Sequence, residues 1–404
     1  MNSYDVLIVG AGPAGSFAAE LLAKGGARVA LFDGRPEGEP KACGGGVTAK
    51  ALKAWPQLLN AVGRTINELD LYSPSSKRLH LKLDEPFAIY SRIVFDCYLR
   101  DRARDAGAHV IATKISARKT KRTDAGWRLK ANDSDGSEWT GRWLIGADGA
   151  NSGIAKMFAG PLPPSDMEVA FGYRAPLPVN GVAPTVVAFL PGWIGYAWAF
   201  PRPDHISFGI ATTQDAFDHE PLDDLLWRFM VGYYQQCEGA EINFWRAAQH
   251  DSVRTQIQQH LLATAERYAA RIPGLSVATL DQRKACGENW ALLGDAAGFA
   301  DPVTGEGIYY ALRSAELFAK SYLGGMPLLY EKRWREDFGA ELRRASQMRR
   351  RFYGNFWGAP FTERMIEFAR GHRGVKRVLR DLVAGEQGYV DLKKKLVKSA
   401  LRPI

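Results

Sequence analysis

The sequence predicts a mixed α/β protein, α+β overall, in which a parallel-sheet domain is interrupted by an antiparallel-sheet domain and followed by helices. Three observations predict this order. A buried-type strand at residues 4–9 leads into helical spacing at 13–24 and a second strand at 28–32. Alternating, aromatic-rich strands with Pro and Gly breaks extend over residues 168–212. Beyond Pro327 the pattern is helical throughout.

The other predicted elements complete this order. They are a helix at 93–106, a strand at 109–113, a strand at 143–146, helices at 222–236 and 251–271, a strand at 291–293 and a helix that begins near Gly307. Strand and helix patterns of the parallel type lie both before and after the aromatic-rich strands. The parallel sheet is therefore predicted to be assembled from discontinuous segments.

The net charge of +9 is concentrated in the C-terminal segment. Residues 341–404 hold sixteen Lys or Arg against six Asp or Glu, so the other 340 residues are close to neutral. Aromatic residues alternate there with basic ones, namely Phe352, Tyr353, Phe356, Trp357 and Phe361. An anionic membrane surface, a pyrophosphate or an acidic partner fits such a segment, and a solvated helical face is the alternative. No nucleic-acid-binding motif accompanies the charge, so no nucleic-acid partner is predicted.

Composition predicts a globular protein of the cytoplasm and leaves peripheral membrane association open. Of the 404 residues 46% are apolar, yet no run approaches the ~18 apolar residues of a membrane span. No signal-peptide pattern precedes the first strand. The four cysteines have neither paired nor metal-like spacing, which is typical of free thiols. The seven histidines form no metal-like pair, so no metal site is predicted.

A glycine-rich turn carries the first chemical signal. The sequence Gly-Ala-Gly-Pro-Ala-Gly at residues 10–15 lies between the first strand and the first helix. Gly10 permits a tight turn, Gly12 lets the backbone approach a pyrophosphate, and Gly15 lets helix and strand pack closely. Asp33 ends the second strand, where a carboxylate accepts hydrogen bonds from a ribose. Together these features predict a bound dinucleotide, with its phosphates at the helix N-terminus.

Two later segments indicate which dinucleotide is bound. They are Gly-Ala-Asp-Gly-Ala-Asn-Ser at 146–152 and Gly-Asp-Ala-Ala-Gly at 294–298, the second followed by a Pro- and Gly-containing turn at 302–308. Both resemble motifs of the flavoprotein family that includes p-hydroxybenzoate-type monooxygenases, flavin halogenases and geranylgeranyl reductases. The resemblance covers roughly residues 4–325 and implies a Rossmann-like FAD-binding domain. The predicted domains are an FAD-binding domain (1–55, 91–160 and 276–325), a substrate-binding domain (56–90 and 161–275) and a basic helical C-terminal region (326–404).

The resemblance also assigns roles to single residues. It implies that Asp295 hydrogen-bonds the ribityl chain of FAD and that Arg92 lies near the FAD phosphates. A helix opened by the turn at Gly305–Gly307 would direct N–H groups at the flavin. A simple turn role is the alternative for Asp148. The predicted FAD contacts are Gly10, Gly12, Pro13, Ala14, Gly15, Asp33, Gly34, Arg35, Cys43, Gly44, Gly45, Arg92, Asp148, Gly149, Gly294, Asp295, Pro302, Gly305, Glu306, Gly307 and Ile308.

Two further motifs resemble those of geranylgeranyl reductases in particular. Lys-Ala-Cys-Gly-Gly-Gly at 41–46 is similar to their Cys-Gly-Gly-Gly segment, and Tyr-Ala-Trp-Ala-Phe-Pro at 196–201 is similar to their Tyr-x-Trp-x-Phe-Pro motif, with Gly209 downstream. The resemblance implies that the second motif lines a cavity for an isoprenoid chain, which needs an apolar surface. Plain core packing along one strand face is the alternative. The predicted substrate contacts are Gly46, Tyr196, Trp198 and Phe200.

A catalytic role is predicted for Cys43, which precedes three glycines in a loop that the resemblance sets beside the flavin. A thiol there is able to donate a proton; Tyr196 or water is the other candidate proton donor, and inert packing is the alternative role for the thiol. The predicted reaction is reduction of a carbon–carbon double bond in an isoprenoid: a geranylgeranyl group, a polyprenyl lipid or a quinone tail. No second dinucleotide motif follows, so transiently bound NAD(P)H or a ferredoxin-like protein is the predicted electron donor.

Three alternatives stay open. A flavin monooxygenase and a flavin-dependent halogenase share the FAD motifs and react through a flavin hydroperoxide. Halogenases carry Trp-x-Trp-x-Ile-Pro where this chain has Tyr196, Trp198, Phe200 and Pro201, which weakens that match. A flavin-bound protein without turnover is the third alternative.

Overall fold

The computed structural model describes residues 2–36, 38, 41, 43–132, 136–179, 182–213, 221–245, 252–356 and 358–400. The strands in this part of the chain are β1 (Asn2–Val9), β2 (Val29–Phe32), β3 (Gly46–Val47), β4 (Arg64–Tyr72), β5 (Arg78–Ile89), β6 (His109–Ile111), β7 (Lys121–Thr123), β8 (Gly126–Lys130), β9 (Glu138–Gly146), β10 (Met167–Ala175), β11 (Val186–Phe189), β12 (Gly195–Pro201), β13 (Ile206–Thr213), β14 (Glu266–Pro273), β15 (Cys286–Gly287), β16 (Trp290–Leu292), β17 (Asn355–Phe356) and β18 (Ala359–Pro360). The helices are α1 (Pro13–Lys24), α2 (Ala49–Ala54), α3 (Arg92–Asp105), α4 (Gly153–Phe158), α5 (Leu222–Cys237), α6 (Ser252–Thr264), α7 (Val277–Gln282), α8 (Ile308–Leu323), α9 (Leu329–Trp334), α10 (Ala340–Tyr353), α11 (Phe361–Gly371), α12 (Arg373–Val383) and α13 (Leu392–Ala400).

The chain divides into two compact units, each assembled from three segments. The first unit comprises Met1–Pro40, Ile93–Met167 and Arg271–Ser346, and the second comprises Lys41–Arg92, Glu168–Ala270 and Gln347–Ile404. The parallel sheet is thus built from discontinuous segments. The individual domain boundaries stay a prediction.

The first unit contains the parallel sheet. Its strands follow the order β15-β16-β9-β1-β2-β6, and the neighbours from β16 to β6 are all parallel. The β7–β8 hairpin adds antiparallel to β9, and β15 lies antiparallel at the edge. Val6, Leu7 and Ile8 of the central β1 are fully buried, as expected of a parallel strand covered on both faces. Because these strands are parallel, their carboxyl ends lie along one edge of the sheet.

The second unit contains an eight-stranded sheet in the order β14-β10-β13-β12-β11-β4-β5-β3. From β10 to β3 the pairs are antiparallel except β11–β4, which is parallel. One face packs on α5, where Phe208 and Ile210 of β13 belong to the same buried cluster as Phe229 and Met230. Alternation along β12 places Tyr196, Trp198 and Phe200 on the opposite face.

Most predicted elements of the first unit are confirmed. Helix α1 has the predicted bounds, α3 and β9 begin earlier than predicted, and α8 begins one residue after Gly307. The long strands β4 and β5 were not predicted, because charged residues on their exposed side interrupt the apolar pattern. Among the helices that the structure describes, none is both long enough and apolar enough to cross a membrane.

Two predictions of secondary structure are wrong. The helix predicted at 251–271 ends at Thr264, and residues from Glu266 onward form β14, which pairs with β10; Asp251 lies outside the described residues. Local propensity is overridden there because the segment completes the edge of a sheet. The region beyond Pro327 is not helical throughout, since the β17–β18 hairpin separates α10 from α11. Gly358, with φ +75°, permits the hairpin turn, and Trp357 lies outside the described residues.

Candidate functional site

The first candidate site lies at the carboxyl edge of the parallel sheet. Four neighbouring strands end there, and each is followed by a segment that the sequence singled out: Gly10 after β1, Asp33 after β2, Asp148 after β9 and Asp295 after β16. The strand ends are tied together, because the Gly10 N–H donates to Phe32 O at 2.9 Å, Ala147 N–H to Val9 O at 2.8 Å, and Leu293 N–H to Gly146 O at 2.9 Å. Ligands of open α/β sheets bind at this edge.

Two glycines of the first motif leave no room for a side chain. Gly10 has φ +105°, and a Cβ there would lie 2.3 Å from Ala147 O. A Cβ at Gly15 would lie 1.9 Å from Gly10 O, so the helix packs directly against the turn. Helix α1 then begins with Gly12 as N-cap, without a side-chain cap and without an acidic residue in its first turn. The N–H groups of that turn therefore suit a bound anion.

Asp33 is held by two arginines. Its Oδ2 accepts from Arg100 Nη1 at 2.8 Å and its Oδ1 from the Arg35 N–H at 3.2 Å, while Arg35 Nη2 donates to Asp96 Oδ2 at 3.1 Å. A carboxylate has about four acceptor positions, so these bonds leave room for a ribose hydroxyl. The sequence offered no signal for Arg100, because it is one basic residue among several on α3. A Cβ at Gly34 would lie 2.9 Å from Lys114 Cα.

Asp148 is engaged by the helix that follows it. Its Oδ2 accepts from the N–H groups of Gly153 at 2.7 Å and Ile154 at 3.3 Å, and its Oδ1 accepts from Ser152 Oγ. Burial raises the pKa of Asp148. These bonds favour the alternative in which Asp148 is a turn and cap residue. Gly149, with φ +82°, permits the turn between Asp148 and α4.

The start of α8 lies beside the start of α1. Gly294 is in close contact with both helices: a Cβ there would lie 3.1 Å from Ala14 Cβ and 3.2 Å from Ala311 Cβ. Gly307 is the N-cap of α8, and a Cβ at Gly307 would lie 3.1 Å from Asp295 Oδ1. The structure thus brings Asp295 to a helix N-terminus that has no side-chain cap.

Asp301, which was not predicted as a site residue, stabilises the loop between Asp295 and α8. Its Oδ1 accepts from Val303 N–H at 2.7 Å and Thr304 N–H at 3.2 Å, and its carbonyl accepts from Gly305 N–H at 2.8 Å. The side chain is buried. An Asp directly before a proline is a turn signal that could have identified it. The loop carries the predicted Pro302, Gly305, Glu306, Gly307 and Ile308.

These residues fit a dinucleotide with an anionic ring system. The α1 N-terminus suits the pyrophosphate, Asp33 suits a ribose, and the α8 N-terminus suits a second centre of negative charge. Arg92 begins α3 and is buried, at 6% exposure. The role of each residue in binding stays a prediction.

The second candidate site lies in the second unit, where two motifs that are far apart in sequence meet. A Cβ at Gly44 would lie 3.2 Å from the Phe200 ring and 3.3 Å from Trp198 Nε1. A Cβ at Gly46 would lie 2.7 Å from Phe87 Cζ. Gly45 has φ +75°, and its would-be Cβ lies 2.0 Å from the carbonyl oxygen of Tyr90. The glycines of this loop are thus required because aromatic rings and backbone approach it directly.

Hydrogen bonds of Cys43 and Arg202 hold the Cys43–Gly46 loop in place. The Cys43 Sγ accepts from the Gly45 N–H at 3.3 Å. Arg202 Nη2 donates to the carbonyl oxygens of Cys43 at 2.8 Å and Gly44 at 3.1 Å. Arg202 is only 3% exposed, and burial lowers the pKa of its guanidinium. The sequence does not reveal this role, since an arginine after a strand-ending proline is normally solvated.

His205 is held as a neutral side chain by its two neighbours. Its Nε2 lies 3.2 Å from Arg202 Nη1, which is always a donor, so Nε2 accepts. Its Nδ1 lies 2.8 Å from Asp204 Oδ1 and donates to it. Burial, together with the Arg202 charge, lowers the pKa of His205.

Two glycines let aromatic side chains lie flat across the sheet. Gly172, Gly209 and Trp198 are in register on β10, β13 and β12, so they share one face. A Cβ at Gly209 would lie 2.0 Å from Trp198 Cζ2, and a Cβ at Gly172 would lie 2.7 Å from the Tyr268 hydroxyl. The Trp198 ring therefore covers β13, and Tyr268 reaches over β10 from the edge strand.

The Tyr268 hydroxyl is anchored in this face. It donates to Phe208 O at 2.5 Å and lies 2.8 Å from Ser207 Oγ. Burial raises the pKa of Tyr268 to about 12, so the phenol is protonated at neutral pH. Tyr268 was not predicted as a site residue, because the sequence pattern of its strand indicated a helix.

Known proteins similar in sequence are flavoproteins and reductases. The FAD binding domain family matches residues 3–320. The chain is 28% identical over 379 residues to a geranylgeranyl diphosphate reductase of Synechocystis, covering 86% of this chain and 85% of the relative. It is 26% identical over 369 residues to a digeranylgeranylglycerophospholipid reductase of Methanosarcina acetivorans, covering 84% and 82%.

Solved structures agree with the predicted fold class. A geranylgeranyl bacteriochlorophyll reductase-like protein of Thermoplasma acidophilum has a TM-score of 0.71 at 22% identity, covering 98% of this chain and 99% of that one. A flavin-dependent brominase has a TM-score of 0.68 at 16% identity, covering 98% of each chain. At these identities the likeness concerns the fold alone. With the family match over residues 3–320, the chain belongs to the FAD binding domain family and is an FAD-dependent oxidoreductase similar to the geranylgeranyl reductases.

Proposed function

We propose that this oxidoreductase reduces carbon–carbon double bonds of an isoprenoid chain. The observation that carries the proposal is the meeting of the Cys43–Gly46 loop with Trp198 and Phe200 in the second unit. Phe87 completes this surface, with its ring centroid 6.3 Å from that of Phe200. The similar reductases of Synechocystis and Methanosarcina acetivorans, named for geranylgeranyl compounds, support the substrate class.

The side chains of this surface suit a hydrocarbon. Each CH₂ group that leaves water for such a surface contributes about 0.8 kcal/mol. Glycines in the loop let a flat alkene approach the backbone, because no Cβ intervenes. The aromatic rings are fixed by neighbours, with Trp198 lying over Gly209, so the surface is shaped before the substrate binds.

The reaction adds one hydride and one proton across the double bond, giving a CH–CH bond. Reduced FAD, when bound, supplies the hydride, and residues of the chain must provide the proton. We assign that role to the Cys43 thiol, whose sulfur is held by the Gly45 N–H and whose backbone is held by Arg202. The thiolate left behind regains its proton from solvent. Tyr268 and Tyr196 are the other candidate donors on this face.

The electron donor is proposed to be transiently bound NAD(P)H or a small ferredoxin-like protein. The described part of the chain has one Gly-x-Gly-x-x-Gly turn between a strand and a helix, at residues 10–15, and this turn is proposed to bind FAD. The two donors differ in their reaction with the purified enzyme. Stopped-flow bleaching of the flavin by NADH or NADPH alone would select the nicotinamide, and bleaching only with reduced ferredoxin would select the protein donor.

The test of the proposed function is anaerobic. The purified flavoprotein is reduced with dithionite and then mixed with geranylgeranyl diphosphate or, separately, with a menaquinone. The expected result is product heavier by two hydrogens per reduced bond, with the gain located in the isoprenoid chain, together with reoxidation of the flavin. Flavin that stays reduced until oxygen is admitted would contradict the proposal and favour the monooxygenase and halogenase alternatives; chloride or bromide dependence would separate those two.

A further inference from the structure

The last three helices carry more cations than the carboxylates of the described residues pair with. Residues 361–400 contain ten Lys or Arg and five Asp or Glu. Every carboxylate is already in an ion pair within the second unit: Glu363, Glu367, Asp381, Glu386 and Asp391. The cations that have no carboxylate partner among the described residues are Arg370, Arg373, Lys376, Arg377, Lys393, Lys394 and Lys398. The charge of these helices is therefore directed at solvent.

Each of the two final helices presents the cations on one side. On α12 the buried residues are Val375, Val378, Leu379 and Leu382. Arg373 and Arg377, one turn apart, lie on the opposite, exposed side. On α13 Leu392 is buried, while Lys393, Lys394, Val397 and Lys398 are exposed, as is Lys395, which is paired with Asp391. Both helices are thus anchored by an apolar side and expose a basic one.

Two exposed apolar side chains lie among these cations. Phe368 is 59% exposed and Val397 is 53% exposed. The Phe368 ring stacks on His372, with ring centroids 6.2 Å apart. His372 adjoins Gly374, whose would-be Cβ lies 2.7 Å from Ser399 O, so the end of α11, the start of α12 and the end of α13 meet. Phe368 and Val397 consequently belong to the same end of this helical group.

This surface differs from the aromatic segment that the sequence suggested. Phe352 is only 5% exposed, with its ring 6.0 Å from that of Phe189 and 5.8 Å from that of Phe361. Those rings are core, while Trp357 and the side chain of Phe356 lie outside the described part of the chain. The exposed apolar groups lie further along, on α11 and α13.

We propose that Phe368, Arg370, Arg373, Lys376, Arg377, Lys393, Lys394, Val397 and Lys398 form a basic helical face that docks on an anionic lipid bilayer. Cations without partners gain from the negative surface potential of anionic lipids. An exposed ring and a valine among them enter the boundary between head groups and acyl chains. Strong charge with small apolar anchors suits reversible binding to a bilayer surface.

The test measures sedimentation of the full chain with vesicles at low ionic strength. Vesicles of one part phosphatidylglycerol to two parts phosphatidylcholine are expected to bind the protein, and pure phosphatidylcholine vesicles are not. The variant Lys393→Glu/Lys394→Glu/Lys398→Glu should partition at least about tenfold more weakly. Phe368→Ser should weaken binding severalfold at unchanged net charge. Salt of about 1 M, where the Debye length is about 3 Å, should release the wild type.

A matched control separates a local face from total charge. Arg118→Glu/Lys119→Glu/Lys121→Glu makes the same change in net charge at exposed positions of the first unit. The proposal requires this control to bind vesicles at least severalfold more tightly than the α13 variant. The proposal is overturned if both variants lose binding equally, or if the wild type binds neutral vesicles as well as anionic ones. It is also overturned if the wild type does not bind anionic vesicles and sediments only with an acidic protein. Vesicle binding needs no substrate, so its failure is distinct from failure of the proposed reduction, which is assayed without vesicles.

Discussion

The two units place their candidate sites on different parts of a sheet. In the first unit the site is an edge, where parallel strands end and helix N-termini begin, and its donors are mainly backbone N–H groups. In the second unit the site is a face, where Trp198 and Tyr268 lie over glycines of neighbouring strands and Phe200 lies against the Cys43–Gly46 loop. Binding at the edge site depends on backbone conformation, whereas binding at the face site depends on the shapes of side chains. Substitutions should therefore remove cofactor binding in one unit and catalysis alone in the other.

The largest effect is expected at the edge. Gly10→Ala combines a left-handed φ of +105° with a Cβ 2.3 Å from Ala147 O. We expect flavin content to fall at least about tenfold, because strain of about 1–2 kcal/mol adds to a backbone clash. Absorbance near the flavin band per mole of purified protein is the measurement.

Gly107→Ala, outside the predicted FAD contacts, is the matched control for this prediction. Gly107 also has a left-handed φ, +98°, but no described atom lies within 4 Å of its would-be Cβ. It should lose stability through strain alone and keep most of its flavin. Equal flavin loss in both variants would mean that conformation, and not close approach at the strand edge, limits cofactor binding.

The next effect is expected at the thiol on the face. Cys43→Ser should leave flavin content unchanged and slow alkene reduction about 10²-fold, because a serine hydroxyl is a much weaker proton donor. Single-turnover reoxidation of the reduced flavin by substrate measures the step. Cys97→Ser, on α3, is the control and should behave as wild type. A Cys43→Ser variant with full activity would transfer the acid role to Tyr268, Tyr196 or water.

A smaller effect is expected from the glycine beneath the indole. Gly209→Ala places a Cβ 2.0 Å from Trp198 Cζ2 and should push the ring out of its position. We expect kcat/KM for the isoprenoid to fall about tenfold while flavin content is retained. Gly371→Ala, whose would-be Cβ has no described atom within 4 Å, is the control. Unchanged kcat/KM in Gly209→Ala would argue that Trp198 is core packing and does not contact substrate.

The smallest effect concerns pH. The pKa of His205 is lowered from its ordinary value of 6.5, so the folded state favours the neutral ring that accepts from Arg202. Its contribution to stability is therefore present above about pH 6.5 and is lost as the pH falls through the lowered folded value. His205→Asn keeps an acceptor but does not titrate.

Melting temperatures at about pH 7.5 and about pH 5.5 provide the measurement. The wild type should lose more stability than His205→Asn between these two values. Parallel losses in the two proteins would show that the Arg202–His205 contact does not respond to pH.

Most of the edge site could be predicted from the sequence. The motif at 10–15 and the acid Asp33 are local in sequence, and each depends on a turn that glycine or a strand end fixes. Parallel strands bring their carboxyl ends together by necessity, so Asp148 and Asp295 were also predictable neighbours. The resemblance in motif order added the choice of FAD, which the match over residues 3–320 confirms.

The surroundings of the face site depend on tertiary contacts. Tyr268 entered the site because residues from Glu266 onward complete a sheet edge, although the local pattern read as helix. Arg202 and Arg100 are ordinary basic residues in sequence, and their roles arise from carbonyl or carboxylate groups more than sixty residues away. Motifs 41–46 and 196–201 meet through strand pairing across the second unit. Such contacts depend on which strands become neighbours, a property of the whole chain that no local pattern encodes.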